Sequence, residues 1–374
     1  MRFSWILIVL ISIGVLLLTI LLRGSSNQKT EELEIHEPFM QKYSVKIPVS
    51  HISAFGSKNS NYISLTSFDK TNSILYRLDD GLRSRNTSSG PRTDNTSTPK
   101  LHDISDFELG PDEQILYTRI SDNGNFVLHA IHSRTSTLSD YYRISEKHSE
   151  TTFFNDYQDI HCPQEIESMR VSQGLFIGSS VLVLSFISNR TNQGSVFVFY
   201  FGAKGWYEKQ EIINPIKEAN DQFGMVMDSN GKISAIASFG NSNEIIVYDE
   251  SFQVTARIPR LAISISCNSN FIAFSNLSHV MIVNPKQPLE ILQTFDNSNV
   301  VKPQNREVML RGNIILFQSS DKLGKANITV KKFDHVLYQD FQNVNITNED
   351  FRFGMTQDNL FVQDKNTLTV FSKM

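Results

Sequence analysis

The feature that most constrains this chain is an ordered repeat of short apolar strands. One set of segments is YISLTS (62–67), FVLHAI (126–131), VLVLSF (181–186), ISAIAS (233–238), FIAFSN (271–276), IILFQS (314–319) and LFVQDK (360–365). Each is followed, across a short polar turn, by a second: SILYRL (73–78), YYRISEK (141–147), SVFVFYF (195–201), EIIVYDE (244–250), VMIVNPK (280–286), NITVKKF (327–333) and TLTVFSK (367–373). Shorter apolar runs such as ISAF (52–55), ILYTRI (115–120), FGMVMD (223–228) and FGMT (353–356) precede the first set. Runs rich in Val, Ile, Phe and Tyr, bounded by Asn, Ser, Gly and Asp, mark antiparallel strands.

Two copies align directly. KIPVSHISAFGSKNSNYISL from Lys46 and RIPRLAISISCNSNFIAF from Arg257 share a basic-Ile-Pro step, an Ile-Ser pair and an Asn-Ser-Asn-aromatic-Ile turn. The period, roughly 40 to 60 residues, is that of propeller blades. The expected fold class is therefore all-β: a seven-bladed β-propeller over 43–374, after a single N-terminal transmembrane helix. A pair of β-sandwiches is the other arrangement such a pattern allows. The ends favour a ring. YSVKIPV (43–49) has no partner in its own repeat, and the last repeat stops at TLTVFSK. Pairing the two closes the ring and removes two open edges.

The N-terminus predicts the transmembrane helix. Residues 5–22 carry no charge over eighteen positions, enough to cross a bilayer core of roughly 30 Å. A cleaved signal peptide is the alternative, but its apolar core is shorter and Leu22-Arg23-Gly24-Ser25 is a poor cleavage site. Residues 1–4 then form a short cytoplasmic tail and 23–42 a polar stalk. Six N-x-S/T sequons follow, at Asn86, Asn95, Asn189, Asn276, Asn327 and Asn345. They function only on the lumenal or extracellular side, so the body is expected in the secretory pathway: endoplasmic reticulum, Golgi or cell surface. The insert 83–100 (RSRNTSSGPRTDNTSTPK), between the third and fourth strands of the first repeat, is almost free of apolar residues and predicts a flexible loop.

Net charge is −4 over 374 residues, which gives no electrostatic case for nucleic acid. The two cysteines, Cys162 and Cys267, cannot form a disulfide framework. Their assigned turns lie on opposite faces of the repeat, so no bridge between them is expected.

The segment 194–238 resembles the FG-GAP repeat found in integrin α-chain heads. Matching positions are Gly194, Val198, Phe199, Trp206, Gln210, Asp221, Gln222, Phe223 and Gly224; Phe353-Gly354 repeats the Phe-Gly step. The resemblance implies a recognition propeller in a secretory or surface setting. Some such repeats bind calcium, but Asp228-Ser229-Asn230-Gly231-Lys232 offers one carboxylate and a lysine where calcium needs six to eight oxygens. It reads as a hairpin turn, as does Ser121–Asn125.

No H-E-x-x-H, G-x-S-x-G, P-loop or G-x-G-x-x-G is present. His129 and His132 are three apart in a strand, and His161 adjoins Cys162; neither spacing brings side chains together on one face. No catalytic, metal or cofactor residue is assigned, and no cofactor is expected. The expected function is a non-catalytic, membrane-anchored lumenal or extracellular module that binds a protein or glycan partner. The alternative is a glycosidase-like propeller enzyme. That would need acids in the central channel, where the expected innermost strands supply chiefly Asp228 and Glu307.

Overall fold

In the computed structural model the described residues are 39–46, 51–56, 62–67, 73–77, 100–103, 109–134, 140–147, 154–163, 168–216, 220–240, 243–298, 307–320, 326–346, 351–356, 359–364 and 367–372. They form twenty-eight strands in seven four-stranded antiparallel sheets. Blades 1 to 6 span 51–103, 113–160, 169–212, 227–258, 264–296 and 308–345, each with its strands in chain order from inside to outside. The seventh sheet has Phe351–Met355 innermost, then Asn359–Asp364 and Thr367–Ser372, and takes its outer strand, Met40–Lys46, from the other end of the chain. The first strand of every blade touches the first strands of the blades on either side, including blade 7 against blade 1. The ring is closed.

The expected fold class needs a correction. It set an N-terminal transmembrane helix ahead of the propeller, but the described residues contain no helix, and none that is long and apolar enough to cross a membrane. The described chain is all-β. Residues 1–38, with the 5–22 segment and most of the 23–42 stretch, lie outside the described residues, as does the insert up to residue 99.

Burial explains why the second and third strands stand out in sequence. Val181–Ser188 is buried at every position but the first, and Ser234–Ser238 at every position. Both faces of such strands pack against neighbouring blades, so they read as continuous apolar runs. The outer strand Gln287–Asp296 instead alternates exposed and half-buried residues along most of its length. The core lies between blades. Tyr142, Phe126 and Ile144 of blade 2 pack on Phe186, Phe197 and Trp206 of blade 3, and Ala235, Ile245 and Val247 of blade 4 on Phe274, Met281 and Val283 of blade 5.

The Asn-rich turns are held by their own side chains. Asn268 Oδ1 accepts the amides of Asn270 and Phe271, and Asn276 Oδ1 those of Ser278 and His279. Asn230 Oδ1 does the same for Lys232 and Ile233, with Gly231 at φ +89°. The oxygen a calcium ion would need is thus committed to the turn. Ser121–Asn125 closes similarly, through Ser121 Oγ to Asn123 Oδ1 and the Phe126 amide to Ser121 Oγ.

Candidate functional site

Antiparallel blades have two faces. First strands begin, and second-to-third-strand turns lie, on what we term the upper face; first-to-second and third-to-fourth-strand turns lie on the lower face. Asn189 and Asn276 sit in second-to-third-strand turns of blades 3 and 5. Asn327 opens the third strand of blade 6 and Asn345 ends its fourth. All four are on the upper face. Asn86 and Asn95 lie outside the described residues.

The axis of the ring holds a cavity of about 250 Å³ lined by first-strand residues of every blade, from Gly56 through Gln173 and Ser266 to Met355. Its ionisable lining is Arg119, Asp122, Asp228, Glu307 and Arg311. Asp122, Asp228 and Arg311 stand near the lower ends of their blades' first strands; Glu307 precedes the first strand of blade 6 on the upper side. Burial pushes the Glu307 carboxyl up to about 7, against the opposing pull of Arg352 and Arg119. Burial also lowers the Arg311 pKa, opposed by the negative charges of Asp228 and Asp122. Asp228 Oδ2 accepts from the Cys267 amide at 2.8 Å and from Ser266 Oγ at 3.2 Å. That carboxylate fastens blade 4 to blade 5. The two acids expected from sequence do line the channel; Asp122 and both arginines were missed, because turn residues and basic residues were not counted among the innermost strands.

The FG-GAP-like positions build a lock between blades 3 and 4. Asp221 Oδ1 accepts the amides of Gly194 and Phe223, each at 3.1 Å, and Oδ2 accepts from Asn214 Nδ2. A Cβ on Gly194 would lie 1.9 Å from the Phe223 carbonyl oxygen. Gly224 has φ +86°, and its carbonyl accepts from Ser185 Oγ at 2.8 Å. Trp206 meets Phe126 edge-on at 5.2 Å between blades 2 and 3. In blade 7, Phe353 is buried and the ring of Phe361 packs against Gly354. The glycines serve close approach of backbone and rings.

The histidine candidates are separate. His129 is fully buried beside Thr118 Oγ1, at 3.1 Å, with its pKa pulled down to about 3 by burial and then by Arg143. His132 pairs with Asp140 at 2.8 Å, and His161 lies against Tyr141. Cys162 and Cys267 are buried, and no disulfide joins them.

A different feature marks the lower outer rim. Tyr207, Val254 and Leu289 lie near the lower ends of the outer strands of blades 3, 4 and 5, and Val336 and Leu337 form the adjacent lower turn of blade 6; all five are exposed, Leu289 and Val336 at 75%. Exposed large hydrophobics on the upper face among the described residues are Ile213, Met225 and Leu277. In sequence Tyr207, Val254 and Leu289 look like ordinary members of alternating strands, and Val336 and Leu337 like part of a turn. What distinguishes them is that they all lie toward the lower side of the outer strands, or in the turn before one, in consecutive blades.

No family model matches the chain, and no curated protein is recognisably similar to it. Solved structures are. The Dos1 propeller superposes with a TM-score of 0.56 at 12% identity, over 89% of this chain and 95% of that one. Sqt1 from Saccharomyces cerevisiae gives 0.51 at 11%, over 87% and 81%. A prolyl endopeptidase structure gives 0.52 at 13%, over 86% of this chain but 47% of that one. At these identities the likeness is one of fold, a β-propeller.

Proposed function

We propose that this chain is a recognition propeller of the secretory pathway, without catalytic activity, which binds a protein partner along its lower outer rim while its upper face carries N-linked glycans. The observation that carries the reading is the arc of exposed apolar side chains, Tyr207, Val254, Leu289, Val336 and Leu337, across four consecutive blades. Exposed large apolar side chains gathered on one side of a molecule are candidate interaction surface, and glycans mark surface that no partner covers. The apolar segment 5–22 directs the chain to the exoplasmic side, where the sequons are usable. The FG-GAP-like lock and the fold shared with Dos1 and Sqt1 are compatible with this reading.

The test is the double variant Leu289→Glu with Val336→Glu, expressed as the full chain. The variant keeps the wild-type unfolding midpoint and loses the partner that comigrates with the native protein. Undiminished comigration would contradict the rim.

A second reading rests on the channel. A carboxyl raised to about 7, Glu307, shares a cavity with the carboxylates of Asp228 and Asp122, and a pair of carboxyl groups is the equipment of glycoside hydrolysis. The engagement of Asp228 by Cys267 and Ser266 weighs against it. Hydrolysis of an aryl glycoside that is lost in Glu307→Gln would establish it.

A further inference from the structure

Asn327 and Asn345 are not independent sequons. Their Cα atoms are direct partners across the third and fourth strands of blade 6. Partners in an antiparallel ladder project to the same face of the sheet with Cβ atoms about 5 Å apart, which leaves room for one branched, bulky substituent. The two sites also differ in access. Asn345 is exposed on the outermost strand. Asn327 is half-buried, and its strand is hydrogen-bonded on both sides. The rest of its sequon is locked away: Ile328 is fully buried, and the hydroxyl of Thr329, 7% exposed, lies 2.7 Å from Ser319 Oγ and donates to Asn343 Oδ1 at 3.1 Å.

Resting on the exoplasmic reading above, we propose that the two asparagines form one exclusive acceptor pair, and that the folded protein carries a glycan on Asn345 and none on Asn327. In the transfer, the Asn345 carboxamide nitrogen attacks the anomeric carbon of a lipid-diphosphate-linked oligosaccharide. The new N–C bond forms as the bond from that carbon to the diphosphate oxygen breaks; the nitrogen gives up one proton and the lipid diphosphate leaves. The same reaction at Asn327 requires the strand to be free of its neighbours. A glycan placed there first would share one position of the ladder with Asn345 and oppose docking of the outer strand.

The experiment expresses the full chain in a eukaryotic secretory host, isolates the folded monomer, and releases glycans with a peptide-N-glycosidase in heavy-oxygen water, which tags each formerly glycosylated asparagine. The expected result is a tag on Asn345 and none on Asn327, with any tagged Asn327 confined to the aggregated fraction. Asn345→Gln should lose one glycan mass without gaining one at Asn327. A tag on Asn327 in the folded monomer overturns the proposal. So does an untagged pair beside a tagged Asn189 or Asn276. If no sequon at all is tagged, the exoplasmic reading itself falls.

Discussion

Gln342 holds Phe39 by both atoms of its side-chain amide: Oε1 accepts the Phe39 N–H and Nε2 donates to the Phe39 carbonyl, each at 2.8 Å. This joins blade 6 to the strand that closes blade 7. The arrangement recurs. Gln158 of blade 2 grips Trp206 of blade 3 in the same way (2.8 and 2.7 Å), and Gln293 of blade 5 grips Tyr338 of blade 6 (2.7 and 2.8 Å). Each glutamine extends the hydrogen-bonding of one outer strand to the next. Loss of a partly buried pair of such bonds costs about 1–2 kcal/mol. Gln342→Ala, Gln158→Ala and Gln293→Ala should therefore each lower the urea midpoint by a similar, modest amount. A loss confined to one of them would show that the grip is not a common inter-blade device.

Closure should cost far more. The outer strand Met40–Lys46 pairs with Thr367–Ser372 from Met40 against Ser372 to Lys46 against Thr367, with a bulge near Gln41. Deleting 39–46 removes that ladder and the buried Phe39, and leaves the edge of Thr367–Ser372 unpaired. The truncated chain is expected to aggregate or lose its cooperative unfolding transition. A monomer with unchanged melting would refute closure by this strand.

Much of this architecture was legible, and the reasons are local. The pairing of the two ends followed from an unpartnered first strand and a truncated last repeat. It was placed with one offset: the strand begins at Met40, inside the stretch read as stalk, because Gln41 and its neighbours have no apolar alternation to announce it. The grip has a trace in the sequence, an apolar residue followed four positions later by the gripping glutamine, in Phe154-Gln158, Leu289-Gln293 and Tyr338-Gln342. It was overlooked because outer strands are half exposed and carry weak periodicity. Asp122 and Arg311 could not be placed in the channel from spacing alone, because a turn residue and the last residue of a four-residue strand reach the axis only once seven sheets converge; Arg119 stands in a segment read as an innermost strand and was passed over because only acids were counted there.

Gly194 and Gly178 make a contrasting pair. A Cβ at Gly194 meets backbone atoms of Phe223, whereas one at Gly178 has open space and only an unfavourable φ of +64°. Gly194→Ala should be severely destabilising, above about 4 kcal/mol, and Gly178→Ala should cost about 1 kcal/mol. Equal losses in thermal unfolding would mean that the lock with Asp221 is not as close as described.

Glu307 and His129 give the stability opposite pH slopes. Glu307, raised from 4.5 to about 7, binds a proton more readily in the folded state. Its contribution is fully favourable below pH 4.5 and declines as pH rises toward 7, by about 1.4 kcal/mol for each step of one in pH and so by at most about 3 kcal/mol. His129, lowered from 6.5 to about 3, acts in reverse: stability is intact above pH 6.5 and falls as pH drops toward 3. Glu307→Gln should flatten the decline between pH 5 and 8 while leaving the acid limb. An unchanged slope in that window would show that the carboxyl is solvated in the folded protein.

The central claim, recognition along the lower outer rim, is tested most directly by placing a photo-crosslinking amino acid singly at Leu289, at Val336 and at Leu277 in the full chain, and irradiating intact cells. The account predicts a discrete crosslinked partner, of one mass, from Leu289 and Val336 and none from Leu277 on the glycan-bearing face. A partner captured from Leu277 alone, with the rim positions silent, would contradict it.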